Sequence, residues 1–139
     1  RSEKILNYIN NNKLNKKVIY LGSISEEKLE KYYNNCMAVI LPSLYESSSL
    51  VALEAIKMKK PIICSDIPPM LELKKTFNLV FFKSGSSQSL KKSIMHVIKN
   101  KKKINFDAKL NFRKLNKFAW HNTLIPVKKK ILYLFKKIY

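Results

Sequence analysis

The stretch 39–67, VILPSLYESSSLVALEAIKMKKPIICSDI, constrains this chain most. It is bounded by two short apolar runs, AVIL at 38–41 and PIIC at 61–64. Runs of that length read as buried strands. Between them lie a polar loop, residues 42–47, and a helix expected over about residues 48–59. Strand, loop, helix and strand in so short a span is the spacing of a parallel crossover. In open parallel sheets, ligands sit beyond the carboxyl ends of the strands, where loops lead into helices. Residues 42–49 form such a loop. It carries Glu46, and Glu54 follows eight residues later in the helix.

The flanking sequence extends the pattern. Ile5, Leu6 and Ile9 have helical spacing, and an Asn run ends that helix. Residues 17–21 (KVIYL) predict a buried strand closed by Gly22. Ser25 then caps a helix whose first turn carries Glu26 and Glu27, where carboxylates suit the helix dipole. Leu29, Tyr32, Tyr33 and Cys36 are spaced to face the sheet. After the central unit come a turn at 66–69, a short helix at 70–75 and a strand at 79–82. A polar turn at 84–87 follows, with Ser87 as the cap of a helix to Lys99 carrying Leu90, Ile94, Val97 and Ile98 on one stripe. Residues 99–103 read as a charged link, then a helix over 106–118. A last helix from Asn122 has Pro126 in its first turns. Strand and helix alternate four times, with no internal repeat. This predicts an α/β fold, a Rossmann-like parallel sheet of about four strands with helices on both faces. Four strands are few for such a domain, and the chain starts at Arg1, so it is expected to begin within a domain.

A chain of 139 residues with 46% hydrophobic content suits one domain with a real core. No apolar run is long enough to span a membrane, and no cleavable leader is expected. Cys36 and Cys64 sit in apolar settings and read as reduced core residues of a cytoplasmic protein. The net charge of +19 raises nucleic acid and anionic membranes as partners. All but Arg1 and Arg113 of the 28 basic residues are Lys, however. Nucleic-acid surfaces favour Arg for bidentate contacts, so a membrane surface is the better fit of the two. AT-rich coding, which enriches Lys and Asn, is the plain alternative.

The loop carries the chemistry. Only nine residues are acidic, and Glu46, Glu54, Asp66 and Glu72 fall near predicted strand ends. A carboxylate only accepts hydrogen bonds, which suits the vicinal hydroxyls of a ribose or hexose. Were the helix continuous between them, Glu46 and Glu54 would differ by roughly 80° around its axis and address one ligand. Ser48, Ser49 and Leu50 would present free backbone N–H groups at the helix start, a setting for a diphosphate. On spacing alone, a solvated loop glutamate and a surface helix glutamate are the better explanation of the pair.

The residues around the pair settle on more. LPSLYESSSLVALEAIKMKKPIICSDIP resembles the donor-binding signature of the retaining GT-B glycosyltransferases of family four, the glycosyl transferases group 1. Pro42, Ser43, Glu46, Glu54, Ala55, Lys60, Pro61, Ser65, Asp66 and Pro68 match it. Residues 18–22 and the helix after them resemble the family's strand ending in Leu-Gly. Residues 116–120 (NKFAW) are similar to its Phe-x-Trp before the last helix. The resemblance implies residues 1–120 as the nucleotide-sugar-binding domain, cut at its amino end. It implies 121–139 as a helix that packs on a separate amino-terminal domain.

By the same resemblance, Glu46 would contact the transferred sugar and Glu54 the ribose. Backbone amides of Ser48, Ser49 and Leu50 would bind sugar or diphosphate. The implied reaction is retaining transfer from a nucleotide-diphosphate sugar to a hydroxyl of a glycan or lipid-linked acceptor, without a metal or other cofactor. Two departures stand out. The family usually has glycines in the turn where this chain has Ser47, Ser48 and Ser49, and serine resists positive φ and close approach. The family's phosphate-binding Arg and Lys would precede this sequence, so the chain alone is expected to show little transfer activity. The expected location is the cytoplasm, with the lysine-rich tail 128–137 able to lie on the inner face of the membrane. The competing readings are a basic, non-enzymatic binding module and an inactive remnant of a transferase.

Overall fold

The structure, a computed structural model, describes residues 2–115. Its contacts divide the chain into two compact units, 1–32 and 33–139.

The first unit opens with α1 (Ser2–Asn11). Its end is held by Asn12, whose side chain donates to the Tyr8 carbonyl at 2.8 Å. Residues 17–21, the expected first strand, form none: they pair with no strand among the described residues, and Ile19 is 74% exposed. An apolar run becomes a strand only when a neighbouring strand takes up its N–H and C=O groups; here the Val18 N–H turns back to the Leu14 carbonyl at 2.9 Å instead. Ser25 caps α2 (Glu26–Asn35) as expected, its hydroxyl accepting from the Lys28 N–H. Of the expected sheet-facing stripe of α2, Tyr33 packs against the core of the second unit, to which the last turn of the helix belongs, while Leu29 and Tyr32 fall in the first unit.

The second unit is built on three parallel strands, β1 (Val39–Leu41), β2 (Ile62–Ser65) and β3 (Val80–Phe82), in the order β1-β2-β3. Val39 pairs with Ile62, and Ile63 with Val80. All four residues of the central β2 are buried. Its side chains alternate between faces, so Ile62 and Cys64 enter one core and Ile63 the other. The first core joins them to Leu41, to Ala52, Ala55 and Ile56 of α3 (Leu50–Lys57), and to Met70 and Leu73 of α4 (Pro68–Leu73). The second joins Ile63 and Phe82 to Val97 of α5 (Ser87–Lys99) and Ile104 of α6 (Lys101–Lys114). Helices therefore cover both faces of the sheet, as the strand–helix alternation predicts.

The local stops have visible causes. α3 ends in a Schellman motif: the Lys59 N–H bonds to the Ile56 carbonyl and the Lys60 N–H to the Ala55 carbonyl. Lys59 therefore takes φ 56°, a left-handed conformation that glycine adopts more readily. Its ammonium rests 4.7 Å from the centre of the Phe112 ring. Lys60 reaches across to the carbonyls of Asn34 and Cys36, tying the α3–β2 turn to the residues before β1. Pro68 and Pro69 start α4, where the missing N–H costs nothing. The cap of α5 is Ser86, one residue before the expected Ser87.

The expected charged link at 99–103 is helical instead. It is the end of α5 and the first turn of α6, with Asn100 between them donating its side-chain amide to the His96 carbonyl at 2.9 Å. Lysine has a high helix propensity, so a lysine run is a weak linker signal. Asn111, 2% exposed, fastens α6 to the segment before β3: it accepts from the Asn78 N–H and donates to the Asn78 carbonyl, each at 2.8 Å. The expected helix over 122–138, with Trp120 and His121, lies outside the described residues.

Candidate functional site

The loop 42–49 leaves the carboxyl end of β1 and enters α3 at Leu50. Because α3 begins there, Glu46 is a loop residue and only Glu54 is helical. The continuous helix that would set the two carboxylates by rotation does not exist, and each is positioned by its own surroundings.

Glu46 is braced from the neighbouring strand. Ser65 ends β2 and is 1% exposed. Its hydroxyl lies 2.5 Å from the Ser43 carbonyl and 3.4 Å from the Leu41 carbonyl. The Ser43 hydroxyl in turn donates to Glu46 Oε1 at 2.5 Å. The other oxygen, Oε2, is buried and has no partner among the described residues. A carboxylate oxygen left so is costly, about 1–3 kcal/mol or more. Glu46 also lies near Cys64, whose thiol is pushed up to about 12, first by burial and then by the Glu46 charge.

That shift has a sign. The folded state holds the Cys64 proton more tightly than the unfolded chain, whose thiol has the ordinary value of 9.0. The stabilisation is complete below pH 9 and is lost as pH rises towards about 12. Melting temperatures followed over that range will fall steeply in the wild type and less steeply in Cys64→Ala. Parallel curves would show that the thiol does not contribute.

Ser49 is the N-cap residue of α3, yet its hydroxyl makes no cap hydrogen bond. That oxygen is also buried and unpartnered among the described residues. The first N–H groups of a helix have no intrahelical acceptor. None of Ser48, Ser49 and Leu50 donates its N–H to another described residue. The loop thus places N–H donors, an unengaged hydroxyl and one unengaged carboxylate oxygen at the carboxyl end of the strands. No glycine is needed for this path: neither Ser47, Ser48 nor Ser49 has a positive φ.

Glu54 lies on the exposed side of α3. Tyr33, at the end of α2, packs against the first core, with its phenol close enough to Glu54 to feel the carboxylate charge. Burial pushes the Tyr33 phenol up, and the Glu54 charge adds to it, so Tyr33 remains a donor well into alkaline pH. Sequence spacing placed Tyr33 on an apolar face and missed this contact, since it depends on where α2 ends relative to α3.

The remaining singled-out residues have structural partners. Asp66 accepts from the Ser84 N–H at 2.7 Å and so fixes the turn after β3, in which Gly85 has φ 74°. His96 is on the exposed side of α5, beside the Asn100 amide. Cys36 and Cys64 are free thiols. Among the described residues, no three His, Cys, Asp or Glu side chains gather as a metal-ligand set, and no helix is long and apolar enough to cross a membrane. An open depression of about 520 Å³ on the outer side of α5, lined by Lys91, Lys92 and Lys99, includes no residue of the loop.

Comparison with known proteins agrees with this architecture. The family described as Glycosyl transferases group 1 matches residues 1–113. "Uncharacterized glycosyltransferase MJ1607" of Methanocaldococcus jannaschii is 35% identical over 57 residues, which are 41% of this chain and 15% of that protein. "Serotype-specific mannosyltransferase WbdA" of Escherichia coli is 40% identical over 60 residues, which are 43% of this chain and 7% of that protein. The matched segments are thus a small part of these relatives. Among solved structures, sucrose-phosphate synthase from Thermosynechococcus elongatus superimposes with a TM-score of 0.78 at 21% identity, over 97% of this chain and 34% of that one. The fold is therefore that of part of a GT-B glycosyltransferase. With more than two thirds of its length matched, this chain belongs to the glycosyl transferases group 1 family.

Proposed function

We propose that the chain is the donor-binding part of a retaining glycosyltransferase, which moves a sugar from a nucleotide-diphosphate donor to a hydroxyl of a glycan or lipid-linked acceptor. The observation that carries the reading is the loop 42–49. It holds one buried, unpartnered oxygen of Glu46 beside the free N–H groups at the start of α3. In this reading, Glu46 accepts from a hydroxyl of the transferred sugar and Glu54 from the ribose. The N–H groups of Ser48, Ser49 and Leu50 face the diphosphate. Negative charge grows on the diphosphate as the glycosidic bond breaks. Fixed N–H dipoles aimed at it favour that transition state over the ground state. No metal is assigned to the step.

Titration of the 139-residue chain with UDP, GDP and ADP tests this, with tripolyphosphate as the comparison polyanion. The expected result is saturable binding of one nucleotide that changes little with salt or on adding EDTA. Equal binding of all polyanions, lost steeply as salt rises, would instead support the basic-module reading. The net charge of +19 and the lysines along α5 are what favour that alternative.

A further inference from the structure

We propose that Ser43 is a positioning residue for Glu46: it engages one carboxylate oxygen so that the other is the one presented to the donor sugar. The inference rests on the donor-binding reading and adds to it a residue and a direction. The chain of contacts starts in the most rigid part of the fold. β2 is the central strand, buried at every residue, and Ser65 ends it at 1% exposure. The Ser65 hydroxyl is within 2.5 Å of the Ser43 carbonyl, which fixes the first bend of the loop. From that fixed backbone the Ser43 hydroxyl gives its single proton to Glu46 Oε1 at 2.5 Å.

A glutamate carboxyl group turns freely about its last torsion, because that sp³–sp² rotor is broad. Two equivalent oxygens with about four acceptor positions then compete for any ligand hydroxyl. The bond from Ser43 removes that freedom. It spends Oε1 and leaves Oε2, which is buried and unpartnered among the described residues. The alternative role for Ser43 is a plain brace of the loop. Ser65 already braces the loop through the Ser43 backbone, which any residue at position 43 would offer. What the Ser43 side chain adds is the bond to Glu46.

The two roles differ in what a ligand without a sugar sees. Affinities are measured for UDP and UDP-glucose, and for GDP and GDP-mannose, on the 139-residue chain. In Ser43→Ala, binding of the sugar nucleotide is expected to weaken about tenfold, the size of one charge-assisted hydrogen bond. Binding of the matching nucleoside diphosphate should change less than about twofold. Ser43→Thr, which keeps the hydroxyl, restores the sugar-nucleotide affinity. In a Glu46→Ala background, where no acceptor remains for the Ser43 hydroxyl, Ser43→Ala adds no further loss. An equal loss for both ligands, a full effect in the Glu46→Ala background, or no effect at all would overturn the proposal while leaving the donor site standing. Absence of nucleotide binding in the wild type would remove the donor reading, and the proposal with it.

Discussion

Glu54→Ala will abolish measurable nucleotide binding while leaving the fold intact. A carboxylate that accepts from both ribose hydroxyls makes two charge-assisted hydrogen bonds. Each is worth about 1.5–3 kcal/mol, so the expected loss is about 100-fold or more. Glu54 is exposed on α3, and removing its side chain leaves the Tyr33 hydroxyl free to meet water. The melting temperature should therefore stay close to that of the wild type. Glu54→Gln should fall between, since its amide keeps one acceptor oxygen and replaces the other with a donor. The sign of the effect is what makes the test sharp. If the chain bound anions by charge alone, removing a carboxylate would raise the net charge of +19 by one and strengthen binding. The two readings thus predict changes in opposite directions, which isothermal titration at one moderate salt concentration will distinguish.

Phe77→Ala will destabilise the chain by about 3–5 kcal/mol. Phe77 is 1% exposed, among the largest fully buried side chains, and lies where α4 hands over to β3. Its ring is part of the core with Ile56, Cys64 and Met70, and its N–H closes the α4 end on the Leu73 carbonyl at 2.8 Å. Truncation leaves a cavity in the core that holds Ile56, Cys64 and Met70. Typical domains have only about 5–15 kcal/mol to lose, so this one change takes a large share. Urea unfolding should show a lower midpoint with an unchanged slope. By contrast, Leu44→Ala, at a site 73% exposed, should shift stability by less than about 0.5 kcal/mol. Equal shifts for the two would mean that the packing of the first core is misassigned.

Much of this architecture is legible in the sequence because its signals are local. The runs at 38–41 and 61–64 could bury themselves only as parallel neighbours once a helix lay between them, and they pair in that way. The stripe of α5 and the Pro-Pro start of α4 are likewise properties of adjacent residues. The segment 17–21 shows the limit. Its composition matches that of β1, but strand formation needs a partner, which no local pattern supplies. The lysines at 101–103 show the opposite error, for charge marks exposure and not the absence of a helix.

The site divides along the same line. Glu46 and Glu54 stand out by motif, and so does the serine run. What the sequence does not show is the setting of each carboxylate. Glu46 depends on a hydroxyl chain from Ser65, nineteen positions away on another strand, and Glu54 lies by Tyr33 from the preceding helix. Both are meetings between elements, set by packing. Serines 47–49 in place of glycines look like an obstacle in the sequence, yet the backbone there stays at negative φ and raises no such conflict.

The measurement that bears most directly on the whole account is amide mapping by NMR of the isotope-labelled chain as the binding nucleotide is added. The account predicts saturable shifts concentrated on the amides of residues 46–50 and around Glu54, with the lysine-lined side of α5 unmoved. Shifts spread over Lys91, Lys92 and Lys99, with the loop silent, would contradict it.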